Sequence, residues 1–321
     1  MSTVRPKSAL PLWVIVGPTA SGKSALALRL AESLDAEIVA CDALQVRAGL
    51  PLLTAKPTEE ESHRVPHHLI SVFAADEPAT AVGYAELADA AIADIHSRGR
   101  RVVLCGGTGL YLRALCEGLV ATPPADPQLR KTLRAEAEQQ GVPALHARLM
   151  ELDPDSAARI GPADYVRIER ALEVQTLTGR TLTDWHQEHQ AQLAHGPRYQ
   201  TVRIGLDPGP APLRTRIAER TRSWLENGLR EEVASFHAQH GPLRFPPLGY
   251  QQVLRHLAGE LDEESLLREI CQKTSQYARR QRIWFRSEPG IRWFSDGCAV
   301  SLRDAAKYET PVSIPFATPS S

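Results

Sequence analysis

The sequence predicts an α/β fold, a parallel-sheet core flanked by helices and interrupted by an inserted helical domain. Three observations carry this. Over the first third of the chain, short apolar runs alternate with segments of helical period. Two of those runs end directly in glycine, at Gly17 and Gly106. A proline-rich break, "ATPPADP" at 121–127, then opens a stretch without a convincing strand that lasts to about His195.

Leu12 to Val16 is a short apolar run, the pattern of a strand buried on both faces. Ser24 to Leu34 follows with Leu26, Leu30 and Leu34 four apart, one face of a helix. Glu37 to Ala40 reads as a second strand ending at Cys41-Asp42, and "HHLISV" (67–72) as a third. Tyr84 to Ser97 is an alanine-rich helix with Leu87, Ala91 and Ile95 on one face. "RRVVLC" (100–105) is a strand, followed by Gly-Gly-Thr-Gly and a helix in "LYLRALCEG". Strands and helices at these spacings imply parallel βαβ units. In the middle of the chain, "QLRKTLRAEAEQQ" stops at Gly141 and "ADYVRIERALEVQTLT" at Gly179, glycine being the usual helix stop. "TVRIGLDP" (201–208) returns to a strand, and long helices follow. The expected domains are a first part of the core at 1–122, a helical insertion at 123–199, and a return to the core with C-terminal helices at 200–321.

A chain of 321 residues is long enough for about two domains. Its 43% hydrophobic and 23% charged residues are those of an ordinary globular protein. A net charge of −1 gives no whole-chain signal for nucleic acid, so any such signal must be local. The five cysteines are widely spaced and form no C-x-x-C pair, which points to reduced thiols, a cytoplasmic setting and no zinc site. The first apolar run is too short for a signal peptide or a membrane span.

"GPTASGKS", residues 17–24, fits the pattern G-x-x-x-x-G-K-[ST] between a strand and a helix. Backbone N–H groups of Gly17, Pro18, Thr19, Ala20, Ser21, Gly22, Lys23 and Ser24 (Pro18 excepted, having none) can cradle phosphate oxygens, helped by the positive end of the helix. Lys23 adds a mobile charge, and the Ser24 hydroxyl is a typical Mg²⁺ ligand. This makes the core P-loop NTPase-like. Yet "RRVVLC" ends in glycines where a metal-holding Asp would be expected, and no guanine-reading N-K-x-D is present. The best-placed carboxylate is Asp42, beyond the second strand. Ligands on open parallel sheets bind beyond the carboxyl ends of strands, so Gly17, Asp42 and Thr108 are expected to face one crevice. On pattern alone, Asp42 is equally a metal ligand, a base, or a turn or helix-cap residue.

Several segments, in order from about residue 12 to 286, resemble the bacterial tRNA dimethylallyltransferases, also called tRNA isopentenyltransferases. They are "GPTASGKSALAL", "CDALQV" with "TAKPT", "VPHHLI", "GGTGLYLRAL", "ADPQLR", "RALEVQTLTG", "RIAERTRSWLENGLREEV", "LGYQQVLRHLAGE" and "YARRQRIWFR". The resemblance implies transfer of a dimethylallyl group from its diphosphate to the exocyclic amine of the adenosine 3′ of the anticodon, with Mg²⁺ assisting and pyrophosphate leaving. It implies Asp42 as base and Thr108, Arg216, Lys23 and, beside them, Arg220 at the leaving-group end. It implies tRNA contacts at Asp42, Ala43, Leu44 and Gln45, at Arg130, and along Val166, Arg167, Ile168, Glu169 and Arg170. Further contacts are implied at Gly249 and Tyr250, and at Arg279, Arg280, Gln281, Arg282 and Arg286. The implied partners are an anticodon stem-loop and dimethylallyl diphosphate, with the protein a monomer and no membrane involved.

The local basic signal lies at Arg268 to Arg286, where six basic residues meet the single acid Glu269, with Tyr277, Trp284 and Phe285 interleaved. By itself this reads as a solvated helix face with its aromatics in the core. With the resemblance, its arginines read as RNA contacts and Trp284 as core. His67-His68 lacks a third metal ligand at suitable spacing and reads as structural. The chain departs from the family at Arg47-Ala48 (for Tyr-Arg), at Pro51-Leu52-Leu53 (for Asp-Ile-Gly), at "PPLGY" (246–250, lacking an arginine), at Thr274-Ser275 and at Val166. Most departures fall on RNA-facing segments, which points to conserved donor chemistry and altered tRNA selection. Competing readings are an ATP-dependent small-molecule kinase, a prenyltransferase for free adenine nucleotides, and a non-catalytic RNA-binding protein.

Overall fold

The computed structural model describes residues 10–193 and 196–297. The early elements are β1 (Leu12–Val16), α1 (Lys23–Leu34), β2 (Ala36–Ala40), α2 (Glu59–Arg64), β3 (His67–His68), α3 (Ala81–Ser97), β4 (Arg101–Gly106) and α4 (Gly109–Cys116). Five helices without a strand follow: α5 (Pro127–Gln140), α6 (Val142–Leu152), α7 (Pro154–Arg159), α8 (Tyr165–Thr178) and α9 (Leu182–Leu193). Then come β5 (Thr201–Leu206), α10 (Pro210–Glu226), α11 (Leu229–His240), α12 (Tyr250–Leu257), α13 (Glu263–Ser287) and β6 (Ile291–Phe294). The chain divides into two compact units, one ending at Glu117 and resuming at Arg198, the other spanning Gly118–Pro197.

The first unit is built on a six-stranded sheet in the order β3-β2-β4-β1-β5-β6, every pair parallel. Strands β1 and β2 are buried along their whole length. That explains the unbroken apolar sequence of β1, since helices cover both sheet faces, while β2 buries one charge, Glu37, which is paired with Arg98 and His68. One face packs Trp13, Ile15, Ile38, Val103 and Ile204 against Leu26 and Leu30 of α1. Because all strands run the same way, Gly17, Asp42, Gly107 and Asp207 each follow a strand at one edge. A second cluster joins α10 to α13 with Leu50 and Leu53, and so backs the loop that leaves β2.

Two expectations need correction. "HHLISV" forms a strand only at His67–His68, because Leu69 (φ 61°) and Ser71 (φ 58°) take left-handed backbone that a ladder cannot continue. In α3 the buried face is Ala81, Tyr84, Ala85, Ala88, Ile92 and Ile95, and Leu87 is exposed. Three of its alanines, Ala81, Ala85 and Ala88, face inward. Strand β6, which no pattern announced, pairs with β5 at the sheet edge.

The second unit packs Leu133, Leu145, Leu149, Ile160, Ile168 and Leu172 into its own core. Among the described residues no helix is long and apolar enough to cross a membrane.

Candidate active site

The phosphate loop is shaped by close backbone packing. A Cβ on Gly17 would lie 2.4 Å from the Leu206 carbonyl oxygen, so only glycine fits beside β5. Ser21 N donates to Pro18 O at 3.2 Å and closes the turn. Helix α1 then begins at Lys23 with no side chain capping it and no acid in its first turn. Its first N–H groups and its positive end are therefore left for an anion.

Across the crevice, the Asp42 carboxylate is held by its own turn, Oδ1 accepting the Leu44 N–H at 2.9 Å. Thr108 Oγ1 accepts the Ala43 N–H at 2.9 Å, and Thr108 N donates to Cys41 O at 3.2 Å, joining the ends of β2 and β4. A cavity of about 220 Å³ is lined by Thr19, Lys23, Ser24, Asp42, Gln45 and Arg220. It adjoins a larger, mostly apolar hollow of about 520 Å³ through Ser24, Gln45, Ala55 and Cys105. The larger hollow has Lys56 and Glu61 in its lining, whereas of the two only the smaller is lined by Lys23, Asp42 and Arg220, together with the phosphate loop.

The electrostatics agree with a charged site held in a dry setting. Burial lowers the Lys23 pKa, and the Asp42 charge acts to raise it. Burial lowers Arg220 to about 10, again opposed by Asp42. Arg220 donates to Thr19 Oγ1 at 2.9 Å and lies 4.5 Å from the Trp224 ring. Arg216 is more exposed. Its Nη1 donates to Ser21 O at 3.1 Å, behind the loop and outside the cavity that holds Asp42. Thr108 likewise lies by Asp42 rather than in the lining of the phosphate cavity. Burial pushes the Cys105 thiol up to about 11. Burial first, and then the Asp42 charge, raise the Tyr277 hydroxyl well above its ordinary value, while hydrogen bonds with Thr108 and Gln281 pull the other way.

The loop carrying Asp42 and Gln45 is tied down by residues that the sequence did not mark. Gln45 Nε2 donates to Ala55 O at 2.6 Å. Lys56 Nζ donates to Arg47 O (2.5 Å), Gly49 O (2.7 Å) and Ser71 Oγ (2.8 Å). The Glu232 carboxylate accepts both the Leu52 and Leu53 N–H groups, at 2.7 and 3.0 Å. His68 is hydrogen-bonded to Glu37, a structural use.

Several residues expected at the RNA surface are engaged inside the fold. Tyr250 is fully buried, its hydroxyl 2.9 Å from His237 Nδ1, and Gly249 packs on Leu53. Gln281 is buried between two loops of the site. Arg282 and Arg286 both donate to Asp207, a buried carboxylate at the end of β5, and so anchor α13. In the second unit, Ile168 is core, and Glu169 is buried with Tyr165 donating to it. Arg130 donates twice to Glu173, at 2.9 Å each, and Arg170 joins the same buried carboxylate. Most of these side chains spend donors or apolar surface internally, whereas Arg286 places one nitrogen on Asp207 and stays 52% exposed. Val166 (70% exposed), Arg167, Arg279 and Arg280 do face outward.

The sequence profile of the IPP transferase family matches residues 45–288. The tRNA dimethylallyltransferase of Anaeromyxobacter dehalogenans is 47% identical over 287 residues, covering 88% of this chain and 94% of that protein. The chain belongs to the IPP transferase family. A second member, the tRNA dimethylallyltransferase of Geobacter metallireducens, is 45% identical over 88% of this chain and 91% of its own length. The crystal structure of the tRNA isopentenylpyrophosphate transferase of Bacillus halodurans superposes with a TM-score of 0.66 at 33% identity, covering 93% of this chain and 96% of that one. Family and fold thus agree with the P-loop NTPase-like core described above.

Proposed function

We propose that the protein transfers a dimethylallyl group from dimethylallyl diphosphate to the exocyclic amine of the adenosine 3′-adjacent to the anticodon of a tRNA, releasing pyrophosphate. The observation that carries this reading is one small cavity in which the phosphate nest, Lys23 and Arg220 face the Asp42 carboxylate.

The chemistry follows from that pairing. The allylic C–O bond breaks as the adenine amine forms the new N–C bond. Negative charge grows on the departing diphosphate, where the loop amides, Lys23 and Arg220 are already in position. The amine loses its proton as it attacks, and Asp42, anchored through one oxygen, receives it on the other; such general-base help is typically about 10²–10⁴-fold. The adenine must leave its stack to enter, as in other enzymes acting on a nucleobase. Arg279, Arg280, Arg286, Arg167 and Val166 are exposed candidates for holding the stem-loop. We take the protein to work as a cytoplasmic monomer.

Mg²⁺ fits this donor set. Among the described residues no group of three His, Cys, Asp or Glu side chains is placed to hold a metal alone. Mg²⁺ takes few protein ligands, and Ser24 with diphosphate oxygens and water would suffice. When bound, it would help neutralise the leaving group. The test incubates protein, dimethylallyl diphosphate, Mg²⁺ and an anticodon stem-loop. A stem-loop heavier by one dimethylallyl group in place of a hydrogen supports the reading, and an unaltered stem-loop contradicts it.

A further inference from the structure

We propose that Gln281 is a positioning residue for the diphosphate, acting through the phosphate loop. The proposal rests on the functional reading above, because it concerns the grip on the same leaving group.

Gln281 lies on α13 and is 5% exposed. Its Oε1 accepts the N–H of Thr19 at 2.8 Å, inside the phosphate loop. Its Nε2 donates to Gly107 O at 2.9 Å, in the loop after β4. One amide thus joins two segments of the nest wall that are otherwise carried by different strands. The fit is tight, since a Cβ on Gly107 would lie 2.2 Å from Gln281 Nε2 and 3.6 Å from Asp42 Oδ2. The same glycine therefore stands between the strut and the base.

An amide suits this position because one neighbour offers a donor and the other an acceptor. A carboxylate would satisfy Thr19 but meet the Gly107 carbonyl without a proton to share. An apolar side chain would leave the Thr19 N–H and the buried Gly107 carbonyl without this partner. Thr19 also receives Arg220 through its hydroxyl, so the strut and the buried cation hold one residue from two sides. The helix carrying Gln281 is fixed by Arg282 and Arg286 on Asp207. Gln281 accordingly acts on phosphate geometry, and the expectation that it touches RNA is replaced.

The test uses the full chain and measures inorganic pyrophosphate affinity with Mg²⁺ by calorimetry, alongside stem-loop affinity and melting temperature. Two variants reach the strut from opposite sides. Gln281→Met removes both hydrogen bonds at similar volume. Gly107→Ala pushes the Gln281 amide aside without changing the sequence of α13. Both are expected to weaken pyrophosphate binding about tenfold, with stem-loop affinity within twofold of wild type. The KM for the allylic diphosphate should rise accordingly. Unchanged pyrophosphate affinity in either folded variant overturns the proposal. A loss of stem-loop affinity equal to the loss for pyrophosphate also overturns it, and restores Gln281 as an RNA contact. If Gln281→Met does not fold, Gly107→Ala decides alone. A wild-type protein that ignores pyrophosphate overturns the diphosphate reading itself.

Discussion

Replacing Asp42 by Asn removes the proposed base while keeping the hydrogen bond that holds its turn. The Leu44 N–H is accepted by Asp42 Oδ1 at 2.9 Å, and an Asn oxygen can accept it equally. The turn, the Ala43–Thr108 bond and the cavity wall should all survive. What is lost is the ability to take a proton. A missing general base slows turnover by roughly 10²–10⁴-fold, which is about 2.7–5.4 kcal/mol of barrier. A second consequence follows from charge. Burial already lowers the Lys23 pKa, and Asp42 opposes this. Without the carboxylate the lysine loses its proton at a lower pH, so the alkaline limb of kcat/KM should move to lower pH. The assay is quenched single-turnover prenylation of a stem-loop across a pH series, with stem-loop binding measured in parallel. Turnover within threefold of wild type, or stem-loop affinity falling as far as turnover does, would refute the assignment of the base.

Four further outcomes are expected. Glu37 is pulled down to about 2 from 4.5, first by the Arg98 hydrogen bond and then by His68, against the opposing effect of burial. It therefore stabilises the fold above pH 4.5 and loses this as pH falls toward 2, so Glu37→Gln should melt lower at neutral pH and show a flatter acid limb in thermal melts. Arg167→Ala should weaken stem-loop binding and reduce its salt slope by about 1. Arg130→Ala should instead lower the melting temperature by leaving Glu173 short of a partner; equal effects of the two on RNA affinity would contradict the geometry. Removing one partner of a buried ion pair costs about 3–5 kcal/mol, but Arg286 is 52% exposed. Asp207→Ala should thus cost about 2 kcal/mol in denaturant unfolding.

Much of the core was legible because its signals are local. The strand–loop–helix at 12–34 is announced by an apolar run, a glycine and leucines four apart, all within a single βα unit. The cavity lined by both the phosphate loop (Thr19, Gly22, Lys23 and Ser24) and Asp42 lies where parallel topology puts ligands, beyond the strand ends. What stayed hidden are pairings across long stretches of chain. Gln281 meets Thr19 from 262 residues away, and Glu232 caps Leu52 from 180. No periodicity records such contacts. The acidic partners of the arginines are hidden for a related reason. Arg130 and Arg282 look like RNA contacts in sequence, but each faces a buried acid, Glu173 or Asp207, whose burial only the fold reveals. In α3 the residues four apart divide between faces, Ile95 being buried and Leu87 exposed, because Ala81, Ala85 and Ala88 supply close packing that hydrophobicity does not rank.

The most direct measurement is the stoichiometry of pyrophosphate release in one turnover with dimethylallyl diphosphate, Mg²⁺ and an anticodon stem-loop, ATP being present as a competitor. One pyrophosphate for each prenylated adenosine, with ATP intact and no release when the stem-loop is omitted, is the predicted result. Consumption of ATP, or pyrophosphate appearing without an adduct on the adenosine, would contradict the account of a phosphate nest that serves a departing allylic diphosphate.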